Sequence, residues 1–443
     1  MNIHIIACGG AVMHNIALAL HNLGHTITGS DDEIFEPALS RLKVKGILPE
    51  QFGWFPDKIN QNLDFIILGM HARADNPELE KAQKIGVKIY SFPEYVYEHS
   101  KDKIRIVVGG SHGKTTTTAM IMHVLKSLNK SFDYLVGSQL EGFDTMVKFS
   151  DAPLMVIEGD EYLTSTLDPI PKFLKYHPHF AQITGIAWDH INVFPTFKGY
   201  VHQFELFANS ILPKGKLIYF SEDIELQKIA NNTPIENKAY TTPKFEIINH
   251  KVVIENEKKY ELEIFGEHNL QNMEGAKLLC ECIGISNDEF YSAMQSFAGT
   301  AKRLEKVLDT KDLIIFRDFA HSPSKLKATA DAVKQQYADC KILAIFELHT
   351  FSSLSKDFLP QFLNCMEKAD QSIVYFNPHV FEQKKMAVIN KADIKSGFGD
   401  NIEVISETSE LVEKISDFKS NVLAQPRVLL LMSSGNFDNA TLW

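Results

Sequence analysis

Lys114 and Thr115 close the run GGSHGKTTT, Gly109 to Thr117, whose residue types suit a polyphosphate. Glycines let backbone N–H groups converge on phosphate oxygens, and a helix starting directly after them adds a favourable dipole. The lysine reaches the terminal phosphates and the following hydroxyl holds Mg²⁺. The general pattern is G-x-x-x-x-G-K-[ST]; Val108 stands at its first glycine, so a tighter form is present. Gly110, Ser111, His112, Gly113, Lys114, Thr115 and Thr116 are the candidate nucleotide cradle. Glu158-Gly159-Asp160-Glu161 follows an apolar run and suits Mg²⁺ beside such a cradle. Alternation along an extended chain places Glu158 and Asp160 on one face and Glu161 on the other; a solvated acidic loop is the other reading. His190, in Trp188-Asp189-His190, has the chemistry of a metal or phosphate ligand, although a lone loop histidine usually has no such role. Asn272 offers an amide donor and acceptor suited to adenine, or simple capping. Arg303 is a cation placed to reach a phosphate.

The elements that must position these groups alternate between strand and helix. Ile104–Val108 reads as a buried parallel strand. Met120, Val124, Leu125 and Leu128 then recur at helical spacing. Leu154–Ile157, Ala181–Ile186 and Lys216–Phe220 continue the strands, and Phe245–Phe265 alternates like a hairpin turning near Asn256-Glu257. Asn269 is the expected N-cap of the next helix. Upstream, Ile3–Cys8, Gly9-Gly10, a helix through Ile16–Leu20 and Thr26–Ser30 start a dinucleotide-type βαβ unit. Val12 and Asn15 stand where further glycines would, so a plain α/β turn fits equally. Asp31 is where a ribose hydroxyl would be accepted. Phe65–Gly69 and Val87–Ser91 add strands, and the loop between them offers His71 and Arg73 as ligand contacts or as ordinary surface residues. Pro93 to Lys103 reads as a crossing. Downstream, Leu313–Phe316, Lys341–Phe346, Ser372–Phe376 and Val428–Met432 are strands, and Ser322-Pro323 opens a helix. The expected fold is α/β in three domains. These are a Rossmann-like domain at 1–101, a central P-loop domain at 102–298 and a C-terminal Rossmann-like domain at 299–443.

A chain of 443 residues fits about three cores. The formal net charge of −11, with no basic block, argues against a nucleic-acid partner. Five cysteines, an odd number, suggest a reducing compartment. Cys280 and Cys282 lack a second ligand pair nearby, so packing in a helix is expected rather than metal binding. No bilayer-length apolar stretch and no signal-peptide pattern is present, and a cytoplasmic protein without membrane insertion is expected.

GGSHGKTTT, EGDE, WDH, GEHNLQN, AKRLE, DFAHSP and SSGNF together resemble the Mur ligase family in order and spacing, over essentially the whole chain. The resemblance implies an ATP-dependent, amide-forming ligase of peptidoglycan synthesis. It places Gly9, Gly10, Ser30, Asp31, His71 and Arg73 on the UDP-sugar side. It makes Lys114 and Thr115 phosphate and Mg²⁺ ligands, and Glu158 and His190 metal ligands. Asn272 would contact adenine, Arg303 the γ-phosphate and Asp318 the ribose, with Lys114, His190 and Arg303 as the catalytic groups. HIIACGGAVM, EGDEYLTSTLDPIPKFLKYHP, WDHINVFP and DFAHSP are most similar to the recycling members. Those join UDP-N-acetylmuramate to L-alanyl-γ-D-glutamyl-meso-diaminopimelate; members that add L-alanine to UDP-N-acetylmuramate come next. A non-catalytic UDP-muramate-binding paralogue is the reading outside enzymology. YVHQFELF has no lysine where some relatives carry a carbamylated one. Thr350 and Ser353 stand where relatives carry arginine, which leaves His349, Lys356 and His321 as groups for the amine substrate.

Overall fold

The computed structural model describes residues 1–165, 167–188, 193–300, 303–421 and 425–442. His190 therefore lies outside the described residues. The first sheet comprises β1 (Asn2–Ile6), β2 (Thr26–Ser30), β3 (Phe65–Leu68) and β4 (Ile89–Ser91), all parallel in the order β2-β1-β3-β4. The second holds β5 (Ile104–Gly109), β6 (Asp133–Leu135), β7 (Val147–Lys148), β8 (Leu154–Glu158), β9 (Phe180–Ile183), β10 (Lys216–Phe220) and β11 (Glu236–Tyr240). Its order is β11-β10-β9-β5-β8-β6-β7, and only the pairing of β6 with β7 is antiparallel. Ile106, Val107 and Val108 of the central β5 are fully buried, as a strand covered on both faces requires.

The third sheet is the antiparallel set β12 (Glu246–Ile248), β13 (Lys251–Glu255) and β14 (Lys259–Leu262). The expected single hairpin is thus three strands. The extra turn is Asn249-His250, where φ values of 51° and 57° supply the left-handed pair that a two-residue hairpin turn needs. The fourth sheet contains β15 (Glu305–Asp309), β16 (Leu313–Asp318), β17 (Lys341–Leu348), β18 (Gln371–Phe376), β19 (Glu403–Ile405) and β20 (Arg427–Met432). It runs β15-β16-β20-β17-β18-β19, parallel except for β15. Asn269 is not an N-cap: the helix starts at Glu267, and the Asn269 amide donates to Phe265 O at 3.0 Å from inside the first turn.

By packing, the chain forms two compact units, Met1–Pro243 with Gln271–Met294, and Lys244–Leu270 with Gln295–Trp443. In the first unit the presumed crossing is a helix, Phe92–Ser100, closed by a Ser91/Glu94 capping box. Beside its end lies Arg105, only 2% exposed. Its guanidinium donates to the carbonyls of Ser100 (2.6 Å), Lys101 (2.9 Å), Lys103 (3.1 Å), Tyr176 (2.8 Å) and His177 (3.0 Å). A buried cation is costly unless fully hydrogen-bonded, and carbonyls at a helix C-terminus are its natural partners. Arg427, at the start of β20, repeats the arrangement in the second unit on Phe418 O, Lys419 O and Asn421 O.

Candidate active site

The chain leaves β5 at Gly109 and enters the helix Lys114–Ser127 after four intervening residues. Gly110 (φ +127°) and Gly113 (φ +83°) make this turn. A Cβ on Gly110 would lie 2.1 Å from Thr184 Oγ1, and one on Gly113 would lie 2.3 Å from Asn272 Oδ1. Both positions demand glycine for space as well as backbone. The same contact puts the Asn272 amide against the last glycine of the loop.

Lys114 Nζ donates to Gly110 O at 2.5 Å and to Glu161 Oε2 at 2.7 Å. The Thr115 hydroxyl donates to Glu158 Oε1 at 2.6 Å, while Gly137 N–H donates to Glu158 Oε2 at 2.8 Å. A hydroxyl and a carboxylate this close, both buried, form a hard-oxygen pair of the kind Mg²⁺ takes. The alternation expected beyond Glu158 fails. β8 ends there, and Asp160 turns away to an ion pair with Lys172 at 2.6 Å. Glu161, not Asp160, faces the phosphate loop.

Tyr200, on the helix Phe197–Asn209, completes the loop's support. Ala187 N–H donates to Ser111 Oγ at 2.9 Å, Ser111 Oγ lies 2.9 Å from Tyr200 Oη, and Tyr200 donates to Glu161 Oε1 at 3.1 Å. A hydroxyl relay thus runs from the loop to the carboxylate that holds Lys114. Sequence reasoning missed Tyr200 as a site residue. The available signal was a lone hydroxyl on the apolar face of that helix. Tyr200→Phe is expected to lower kcat/KM for ATP about tenfold, the equivalent of one lost buried hydrogen bond of ~1.4 kcal/mol. Steady-state kinetics on a variant with unchanged circular dichroism checks this; an unaltered KM for ATP and kcat would remove the role.

At the carboxyl ends of the first sheet, Asp31 is buried and accepts Gly9 N–H at 2.6 Å and Asp32 N–H at 3.0 Å. Burial pushes its pKa up to about 6 against those two bonds. The side chain that was to accept a ribose hydroxyl therefore already ties down the glycine turn. Ser30 is fully buried, with its carbonyl accepting Ala7 N–H at 2.9 Å. His71 is exposed, and Arg73 forms a solvent-facing ion pair with Asp75 at 3.1 Å. Among the described residues, neither side chain hydrogen-bonds to the Gly9–Asp31 turn.

In the second unit, Asp318 ends β16 and accepts Leu304 N–H at 2.5 Å and Ala320 N–H at 2.7 Å. Burial raises its pKa, and these N–H groups oppose the rise. Arg303, exposed, directly precedes Leu304, whose N–H Asp318 holds, so the two candidate groups are neighbours. Past β17, Ser353 Oγ accepts His349 N–H (3.1 Å) and Thr350 N–H (3.0 Å), and Thr350 Oγ1 accepts Ser353 N–H (3.1 Å). The two residues at the arginine positions thus close a self-satisfied turn. Lys356, its side chain largely exposed, pairs with Asp393 at 2.9 Å. His321 Nδ1 lies 2.8 Å from Phe319 O. Buried Glu347 accepts Phe437 N–H at 3.0 Å and the Ser433 hydroxyl, an acidic centre the sequence did not reveal.

A phosphate loop with a buried oxygen-ligand pair, on a parallel sheet in a chain of α/β domains, defines a nucleotide-dependent enzyme. Family models match end to end: "Mur ligase family, catalytic domain" at 2–103, "Mur ligase middle domain" at 108–280 and "Mur ligase, glutamate ligase domain" at 302–435. The chain belongs to the Mur ligase family, the ATP-dependent ligases that form amide bonds in peptidoglycan synthesis, with their three-domain architecture. UDP-N-acetylmuramate–L-alanine ligases are similar in sequence. That of Lactiplantibacillus plantarum is 29% identical over 91% of this chain and 90% of its own. That of Streptococcus equi subsp. zooepidemicus is 30% identical over 88% and 86%. Among solved structures, a UDP-N-acetylmuramate–alanine ligase from Thermotoga maritima has a TM-score of 0.70 at 22% identity, covering 99% of this chain and 97% of that one. A murein peptide ligase from Psychrobacter arcticus has a TM-score of 0.64 at 24% identity, with the same coverages. No helix among the described residues is long and apolar enough to cross a membrane.

Proposed function

We propose that this ligase activates the carboxylate of UDP-N-acetylmuramate with ATP and couples it to L-alanine. The likeness to L-alanine ligases at 27–30% identity over 83–95% of their length carries the choice of amine. It supports L-alanine over the tripeptide that the sequence motifs suggested. Both kinds of ligase share the fold, so structural likeness does not separate them. The domains are taken as 1–101, 102–298 and 299–443.

In this reading the muramate carboxylate attacks the γ-phosphorus and ADP leaves, giving an acyl phosphate. The amine then attacks the acyl carbon through a tetrahedral adduct, and phosphate departs. Several anions meet at one place, so fixed cations must offset their repulsion and stabilise the charge that develops. Lys114, oriented by Glu161, serves the transferred phosphoryl group, and Arg303 contributes a second cation. Thr115 and Glu158 would hold Mg²⁺, which supplies charge neutralisation at the phosphate oxygens; His190 joins them on the resemblance alone. Asn272 serves the nucleotide base, Asp318 the ribose, and Gly9, Gly10, Ser30 and Asp31 the UDP-sugar.

The tripeptide is the second reading, kept for the motifs HIIACGGAVM, WDHINVFP and DFAHSP; the Thr350–Ser353 turn, with no arginine to meet the peptide's carboxylates, counts against it. Phosphate release from ATP with UDP-N-acetylmuramate, on adding either amine, decides between them. A higher kcat/KM for L-alanine is expected. Preference for the tripeptide would overturn the amine assignment while leaving the ligase chemistry standing, and release with neither would remove both.

A further inference from the structure

We propose that His250, Asp339 and Cys340 form a binding site for a borderline-soft divalent cation, with zinc as the best match. Imidazole nitrogen, carboxylate oxygen and thiolate sulfur are together a zinc-type donor set. Their three donor atoms all lie within 4.8 Å of one another. His250 Nε2 is 2.7 Å from Asp339 Oδ1, and Cys340 Sγ is 3.7 Å from the same oxygen. Bonds of 2.0–2.3 Å around a tetrahedral ion place ligands roughly 3.3–3.8 Å apart, so the His–Asp contact must open by about 0.6 Å, and the His–Cys separation, within 4.8 Å, must settle into the same range.

The ligands sit on a braced frame. His250 occupies the left-handed turn between β12 and β13, and its carbonyl accepts Gln336 Nε2–H at 2.7 Å. Its ring lies against Tyr337, with centroids 4.8 Å apart. Cys340 N–H donates to Tyr337 O at 3.1 Å, which fixes the approach to β17. The ion would clamp the β12–β14 sheet to the end of the helix Pro323–Gln336. Asp339 is exposed, which leaves an entry path and a fourth position for water. The site lies at the N-terminal edge of the fourth sheet. Asp318 and His349 stand beyond the carboxyl ends of its strands, on the order of 25 Å away along the eight residues of β17. It is therefore separate from the ligase chemistry.

Ion binding must release the thiol proton, so affinity falls as pH falls. The test is titration of the full-length protein with ZnCl₂, and separately with CoCl₂. We expect one zinc per chain bound in competition with a chromophoric chelator, a rise in melting temperature, and a thiolate-to-cobalt charge-transfer band. Cys340→Ser should abolish the band, and Cys340→Ser and His250→Gln should each weaken zinc binding about 100-fold, on the scale by which metal sites respond to lost supports. No stoichiometric zinc, no thiolate band, or equal affinity in wild type and Cys340→Ser overturns the proposal. Ligase activity of Cys340→Ser without zinc should be unchanged.

Discussion

Lys114→Ala yields a folded protein whose ligase turnover is lower by about 100-fold or more, the usual consequence of removing one preorganised charge contact from a transition state. A second effect accompanies it. Lys114 also pairs with Glu161, which is fully buried. Removing one partner of a buried pair leaves an uncompensated carboxylate and typically costs about 3–5 kcal/mol. The double variant Lys114→Ala/Glu161→Gln separates the two. Its melting temperature should recover, because a neutral amide still accepts the Tyr200 hydroxyl, whereas turnover should not. If the double variant regains activity, Lys114 serves the fold and not the phosphoryl group.

Glu158→Gln is expected to slow ligation by two orders of magnitude and to move its Mg²⁺ requirement to higher concentration, because a metal-bound carboxylate charge is lost. The packing should survive. The amide oxygen can take the Gly137 N–H, and the Thr115 hydroxyl can turn to accept from the amide nitrogen. Initial rates against MgCl₂ concentration provide the measurement. A variant with the wild-type Mg²⁺ profile would rule out Glu158 as a ligand.

The parts of this site visible in the sequence are the local ones. GGSHGKTTT carries its strand, turn and helix start within a dozen residues, so loop and backbone were legible together. Glu158 was legible as the acidic residue directly after the apolar strand Leu154–Ile157, a strand that in the structure extends to include it. Glu161 was misplaced because period-two alternation holds only while the chain stays extended, and the strand ends at Glu158. Tyr200 was hidden for a different reason: its partner Ser111 is 89 residues away, and nothing local marks the pairing. Short strands such as Asp133–Leu135 and the edge strand Glu403–Ile405 were missed because three residues show no period. The Thr350–Ser353 turn could be located by position but not interpreted. Only the hydrogen bonds show that both hydroxyls are spent on each other's backbone.

Arg105 bears on how the first unit comes apart. The family models break between residues 103 and 108, which invites dissection of the chain there. The guanidinium makes that break the least separable place in the unit. A fragment ending at Lys103 would strand three carbonyls at a frayed helix end, and one beginning at Ile104 would carry a desolvated cation with only the Tyr176 and His177 carbonyls of its five acceptors. Neither piece is self-sufficient on this account. The first two sheets should lose structure in one cooperative step, as a single calorimetric peak, although sequence comparison divides them into two modules.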